Sequence, residues 1–285
     1  MSEEHLTKIL SGTGLAAQIR RELKEAIEES KVQPGLAVVL VGQDPASRIY
    51  VKFKTQASEE VGIYLETVEL PEDISQKKLL KVIARLNKSK DIHGILVQLP
   101  LPRHLDTYEV IEAIDPAKDV DGFHSENVGW LSIGEPRLMP ATTKGIMTLL
   151  EANDIELAGK HVVMVGASNI VGKPTAMALL NKNATVTICH KLTEDLKAHT
   201  KHADILITAT GVPKLITPDM VKEGVVIVDA GITRYEGKVV GDVDFEAVMD
   251  KASYITPVPG GVGPMTVVSL LQNTLEAMRA IEGLD

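Results

Sequence analysis

Cysteine is almost absent from this sequence. One residue, Cys189, in a chain of 285 rules out an intrachain disulfide and leaves no cysteine cluster for structural zinc. Both exclusions suit a reducing cytoplasm. Aromatic residues are scarce as well, at 3%, so the core must be aliphatic and each exposed ring counts as a candidate stacking surface. No apolar run is long enough to cross a bilayer. The longest are strand-sized, such as Leu36 to Val41, and Met1 to Leu10 is acidic without an apolar centre, so neither export nor membrane insertion is expected. Basic charge is in deficit: Lys and Arg number 30 against 39 Asp and Glu, giving a formal charge of -9. The sequence pI is 5.4 and the cations are scattered, which argues against a grip on nucleic acid or anionic membrane and for a small-molecule partner.

What is present describes a folding chain of ordinary composition. Hydrophobic residues make up 44% and charged residues 24%, with no low-complexity tract or fixed-period repeat. The length suits two domains or one large α/β unit. Leu15, Ile19, Leu23 and Ile27 recur every fourth residue and read as an amphipathic helix. Leu36 to Val41 reads as a buried strand, and Asp44 followed by Pro45 as an N-cap with proline at the first helical position. A helix over about Gln76 to Asn87 precedes a second buried strand, Gly94 to Leu99, which ends at Pro100 and Pro102. Asp115 to Pro140 is turn-rich and aperiodic, as expected of a crossing between domains, with the boundary near Pro140. Beyond it, strands at His161 to Val165, Ala184 to Ile188, Ile205 to Thr208, Val225 to Val228 and Tyr254 to Thr256 alternate with helices. The expected fold class is therefore α/β: an N-terminal α/β domain over 1–140 and a Rossmann-type, doubly wound parallel sheet over 141–264. A final helix over 265–285 is placed to pack back on the first domain.

Two regions hold chemistry-bearing residues. Val162 to Pro174, VVMVGASNIVGKP, places a strand, a loop with Gly166 and Gly172, and a helix in order. Glycine permits close backbone approach, and helix N-terminal amides favour a pyrophosphate. The loop departs from GxGxxG, since Ser168 replaces the second glycine, and alone it is as readily an ordinary strand-to-helix turn. At the end of the next strand, where NAD-type folds place an acid against the ribose, stand His190 and Lys191. A lysine there can pair with the extra phosphate of NADP, so NADP is preferred over NAD. The alternative is a solvated loop charge.

In the first domain, Tyr50 and Lys54 lie four apart and share a helix face. A tyrosine on the core and a snorkelling lysine is the commoner meaning of such a pair. Gln98 puts an amide at a carboxyl strand end, where α/β folds gather ligands, or merely caps that end. Asp121, in KDVDGFH, reads as a turn aspartate or an anchor. Thr256 to Thr266, TPVPGGVGPMT, joins rigid prolines to glycines before the last helix; it can back a flat ligand or serve as a connection. His199 and His202 share a helical face but lack a third ligand, so no metal site is expected.

Taken together and in order, SRIYVKFK, GILVQLPLP, KDVDGFH, GASNIVGKP and TPVPGGVGPMT resemble the methylenetetrahydrofolate dehydrogenase/methenyltetrahydrofolate cyclohydrolase family. The resemblance covers most of the chain. It implies a catalytic domain from 1–140 completed by the helix 265–285, an NADP-binding domain over 141–264, a folate cleft between them, and a cytoplasmic homodimer. It implies a place in one-carbon metabolism, tetrahydrofolate interconversion and purine biosynthesis. By matching motif it makes Lys54 the catalytic lysine, Tyr50 the ring stacking on the folate aminobenzoyl group, Gln98 the lysine's partner, and Asp121 the pterin anchor. Val97, Leu99, Pro259, Gly260 and Gly261 are placed at the substrate, and Gly166, Ala167, Ser168, Ile170, Gly172, His190, Lys191 and Ile232 at NADP.

The reactions so implied are hydride transfer from methylenetetrahydrofolate, then attack of water on the methenyl cation. Hydride transfer needs the reacting rings held at reactive distance. The hydrolysis needs a base, and a free lysine, with a pKa of about 10.4, must first be made less basic. Three positions depart from the family pattern. Ala167 stands where many members carry arginine, Thr143 replaces the proline of CTPKG, and Gln56 replaces a common second lysine. Two other readings fit the residues alone: a two-domain dehydrogenase of a small hydroxy or amino acid, and a nucleotide-sensing binding protein.

Overall fold

The computed structural model describes residues 7–284, which divide into two compact units. The first six residues of the acidic start lie outside that range. One unit comprises Ala17–Ala141 with Val267–Asp285; the other comprises the residues up to Ala16 with Thr142–Thr266.

The first unit is built on a three-stranded parallel sheet in the order β3-β2-β4, with β2 at Gly35–Val41, β3 at Tyr64–Leu70 and β4 at Gly94–Val97. All seven residues of β2 are buried, as a strand paired on both sides and covered on both faces requires. Edge strand β3, YLETVEL, alternates exposed and half-buried positions and carries too many polar residues to stand out as a run. Crossover helices α2 (Pro45–Val61) and α3 (Gln76–Lys88) make the parallel connections. Asp44 caps α2, accepting from the Ser47 amide at 2.7 Å, with Pro45 in the first turn. Gly62, at φ 86°, ends it, and Ile63 N–H returns to the Ser58 carbonyl. Leu79, Ile83 and Leu86 of α3 pack with Ala37, Val39, Ile95 and Val97 in one aliphatic cluster, joined by Val110 of α4 (Thr107–Glu112).

The second unit is a six-stranded parallel sheet, β1-β11-β8-β7-β5-β6. The strands are β1 (Lys8–Ile9), β5 (His161–Val165), β6 (Thr185–Cys189), β7 (Ile205–Thr208), β8 (Val225–Asp229) and β11 (Ala252–Ile255). Helices α6 (Ala141–Glu151), α7 (Gly172–Asn181), α8 (Leu196–Thr200) and α9 (Phe245–Val248) punctuate the strands, and β9 (Thr233–Tyr235) pairs with β10 (Lys238–Val240) in a separate hairpin. Counted from β5, the order is 2-1-3-4-5, a doubly wound sheet that reverses between β5 and β7. The chain passes between the units within α1 (Gly12–Glu28) and α10 (Val262–Glu282).

Four expectations need correction. The domain expected from residue 1 starts later, because β1 pairs with β11 and residues 7–16 belong to the six-stranded unit; two residues of strand carry no readable period. Asp115–Pro140, expected to be an aperiodic crossing, holds α5 (Ser125–Ser132), whose Asn127 and Leu131 are buried. The strand expected to reach Leu99 stops at Val97. His199 and His202 share no helix, since α8 ends at Thr200.

Leu79 is fully buried in the α3 cluster. Leu79→Ala should lower the stability of the chain by about 2–5 kcal/mol, read as a reduced urea midpoint of the sheet transition, because the cavity left under β2 cannot close.

Candidate active site and nucleotide loop

The three-stranded unit gathers Tyr50, Lys54, Gln98 and Asp121. Tyr50 and Lys54 are successive turns of one face of α2, both half-buried. Gln98 follows β4, where its own amide still bonds to the Val39 carbonyl at 2.9 Å and continues the ladder by one residue. Its side-chain Nε2 donates to the Leu99 carbonyl at 2.8 Å, which fixes the amide and turns Oε1 to Lys54. Lys54 Nζ donates to that oxygen at 3.1 Å. Leu99 is half-buried, whereas the Val97 side chain belongs to the core cluster, so Val97 can meet a ligand only through its backbone.

Asp121 sits in a turn closed by Gly122 N–H to the Asp119 carbonyl, with Gly122 at φ 72°. Asp119 is bridged to Ile95 of β4, which brings the turn to the carboxyl edge of the sheet. Burial pushes the Lys54 ammonium below its ordinary pKa, and the Asp121 carboxylate opposes that shift. Burial raises Asp121 to about 6, against the pull of Lys54 and with a push from Asp119. Each group loses solvent faster than the other repays it. The amine is thereby moved toward its neutral form, and the carboxyl still ionises near neutrality. Tyr50 is also raised by burial.

The six-stranded unit carries the other site residues at the carboxyl edge of its sheet. Gly166 ends β5 at φ 121°, a conformation closed to most residues, and a Cβ on it would overlap the Ala209 carbonyl. Gly172 opens α7 against the Gly166 carbonyl, leaving no room for a side chain. Between them Ser168, Asn169 and Ile170 are exposed and Ala167 is half-buried. The amides of Val171 and Gly172 already donate to Ser168 Oγ, at 3.1 and 3.3 Å. Ser168 Oγ thereby ties the loop to the start of α7. His190 and Lys191 are exposed just beyond β6, and no carboxylate occupies that strand end. Ile232 is exposed after β8. An open edge at the reversal of strand order, glycines at close approach and a cation where an NAD-type acid would stand together fit a phosphorylated dinucleotide.

Sequence reasoning missed the acids behind that edge. Asp229, fully enclosed, accepts from Thr208 Oγ1 and from the amides of Gly231, Asp242 and Val243. Asp242 accepts from the Thr210 amide at 2.6 Å. These two carboxylates tie the loops after β7 and β8, and burial lifts Asp229 to about 6. Gly231 and Gly241, each without space for a Cβ against them, were the available signal in the sequence. Thr143, in place of the family's proline, is buried and hydrogen-bonds Thr175 of α7 at 3.0 Å. Pro259, Gly260 and Gly261 also belong to this unit. The Gly260 carbonyl accepts from the amides of Gly12 and Thr13, so the segment serves packing at the start of α1 while Pro259 stays exposed.

Two family models cover most of the chain. The catalytic domain model of tetrahydrofolate dehydrogenase/cyclohydrolase covers residues 10–121, and the NAD(P)-binding domain model of the same enzymes covers 140–282. The chain belongs to the tetrahydrofolate dehydrogenase/cyclohydrolase family. Bifunctional protein FolD of Moorella thermoacetica is 58% identical over 95% of this chain and 99% of its own. The crystal structure of the bifunctional FolD enzyme from Campylobacter jejuni superposes with a TM-score of 0.95 at 51% identity, covering 96% of this chain and 99% of that one. The Trypanosoma brucei dehydrogenase-cyclohydrolase, solved with NADP cofactor and inhibitor, has a TM-score of 0.93 at 37% identity, covering 97% and 98%. As a member of this family the chain is a bifunctional enzyme, a methylenetetrahydrofolate dehydrogenase and a methenyltetrahydrofolate cyclohydrolase.

The Lys54–Gln98 contact gives a test of the electrostatics. Gln98→Glu puts a carboxylate where an amide oxygen now accepts, which favours the ammonium. The Lys54 pKa should therefore rise. Titration of the 13Cε-lysine signal by NMR reads this directly, and an unmoved midpoint would mean that Lys54 does not face residue 98 in solution.

Proposed function

We propose that in this enzyme methylenetetrahydrofolate is oxidised to the methenyl form with NADP, and the methenyl form is then hydrolysed to formyltetrahydrofolate, by the residues assigned below. The observation that supports the assignment is a half-buried amine, Lys54, with lowered basicity, hydrogen-bonded to a fixed amide and electrostatically coupled to Asp121. NADP when bound accepts the hydride. Tyr50 offers a rigid face to the aminobenzoyl ring, and Asp121 accepts paired hydrogen bonds from the pterin. Leu99 and the Val97 backbone border them. In the hydrolysis, Lys54 as neutral amine takes the proton of the attacking water, and the adjacent methenyl cation further disfavours its ammonium. Gln98 holds the amine in place.

For the cofactor, Gly166, Ala167, Ser168, Ile170 and Gly172 form the loop that approaches it, with His190, Lys191 and Ile232 around it. Lys191, exposed beyond the end of β6, pairs with the phosphate that distinguishes NADP. A homodimer follows from family resemblance. A cytoplasmic setting is supported by one cysteine, buried and free, and one-carbon supply to purine biosynthesis follows from the formyl product.

Absorbance of the purified enzyme given methylenetetrahydrofolate and NADP follows reduced nicotinamide and the methenyl product. Lys54→Met should lower cyclohydrolase activity by about 10²–10⁴-fold, with methenyl product accumulating. Full hydrolysis by a folded Lys54→Met enzyme would remove the base. Lys191→Glu should raise the KM for NADP about 10- to 100-fold and leave that for NAD unchanged, the loss expected of one charge-assisted contact. Equal effects on both cofactors would remove the phosphate contact.

A further inference from the structure

The turn that carries Asp121 is held from the last helix by one buried side chain. Asn273 of α10 has no exposed surface and stands among Leu270, Leu271 and Leu275. Its Nδ2 donates to the Val120 carbonyl at 2.8 Å and to the Met139 carbonyl at 2.8 Å. The first carbonyl belongs to the residue before Asp121. The second belongs to the residue before Pro140, and the Gly122 backbone lies so close to Pro140 that a Cβ there would be 2.6 Å from its nitrogen. Ala141 N–H reaches the Asp121 carbonyl at 3.4 Å, completing the link between the two strands of chain. At the far end of the turn, Asp119 accepts from the His124 amide at 2.8 Å and from Asn127 Nδ2 at 3.0 Å.

An amide in the middle of an apolar helix is a cost unless its polar atoms are used. Leucine would suit this helix better on propensity and on burial. Only a side chain with two N–H donors at one nitrogen, however, can satisfy two carbonyls that approach from different segments. Both bonds end on the chain beside Asp121, and neither secures the helix itself.

We propose that Asn273 is a positioning residue for substrate binding: from the C-terminal helix it fixes the turn that aims Asp121, and it sets folate affinity through Asp121 without touching folate. The inference rests on Asp121 as the pterin anchor. Steady-state kinetics of the full-length enzyme with methylenetetrahydrofolate and NADP test it in four variants. Asn273→Leu removes both donors at similar volume and should raise the KM for folate about tenfold, with the KM for NADP unchanged and kcat reduced less than the KM rises. Asn273→Ser keeps one donor and should give a smaller rise of the same kind, and it serves if the leucine variant does not fold. Leu79→Ala, destabilised in the same unit away from the turn, should leave the folate KM where it is. An unchanged folate KM in the Asn273 variants, or an equal rise in Leu79→Ala, overturns the inference. Asp121→Asn in the same assay separates the two levels. If it too leaves the KM unchanged, the anchor reading falls; if it raises the KM while Asn273→Leu does not, the positioning role alone falls.

Discussion

The constraint on which this molecule depends is the shared desolvation of one amine and one carboxyl. Lys54 and Asp121 attract each other, yet for both the loss of water outweighs the attraction: the lysine becomes less basic and the aspartic acid less acidic. Full solvation would leave Lys54 protonated and useless as a base. A closer ion pair would do the same by stabilising the ammonium. The chemistry therefore needs an intermediate arrangement, in which Gln98 supplies a neutral acceptor that orients the amine without adding charge.

That arrangement explains why the surrounding backbone is so heavily tied. The Gln98 amide is pinned to Leu99 and its backbone continues the β2 ladder, so Oε1 has one direction open. Asp121 stands on a turn bridged to β4 through Asp119. In the six-stranded unit the same principle appears with different parts. Asp229 accepts from the amides of Gly231, Asp242 and Val243, Asp242 accepts from the Thr210 amide through Oδ2, and Ser168 caps α7 from inside the glycine loop. Buried charge is used there to shape backbone, which is an effective use because backbone amides repay much of its desolvation.

Much of this was legible along the chain. β2, β5 and β7 announce themselves because a strand buried on both faces is a near-continuous apolar run, and Asp44-Pro45 announces α2 because the cap and the first turn use adjacent residues. Of the edge strands, β4 and β6 were legible, whereas β3 and β1 were not. β3 mixes Glu66, Thr67 and Glu69 with apolar residues because one of its sides meets no strand, and β1 is too short to show a period. Asp115–Pro140 looked like a linker because it is held by side-chain bonds to backbone from Asn127, Asp119 and Asn273, which leave no hydrophobic rhythm.

By itself, the sequence determined the α/β class, the positions of the buried strands, the family, and the residue types available for chemistry. All of these depend on local composition or on motifs a few residues long. Tertiary structure alone decided that Lys54 meets Gln98 across 44 positions, that Asp121 shares their poorly solvated surroundings, and that Asn273 reaches back 153 positions to the turn beside it. Proton affinities and aim depend on distance, burial and the count of satisfied donors, and none of these is a property of residues taken in order.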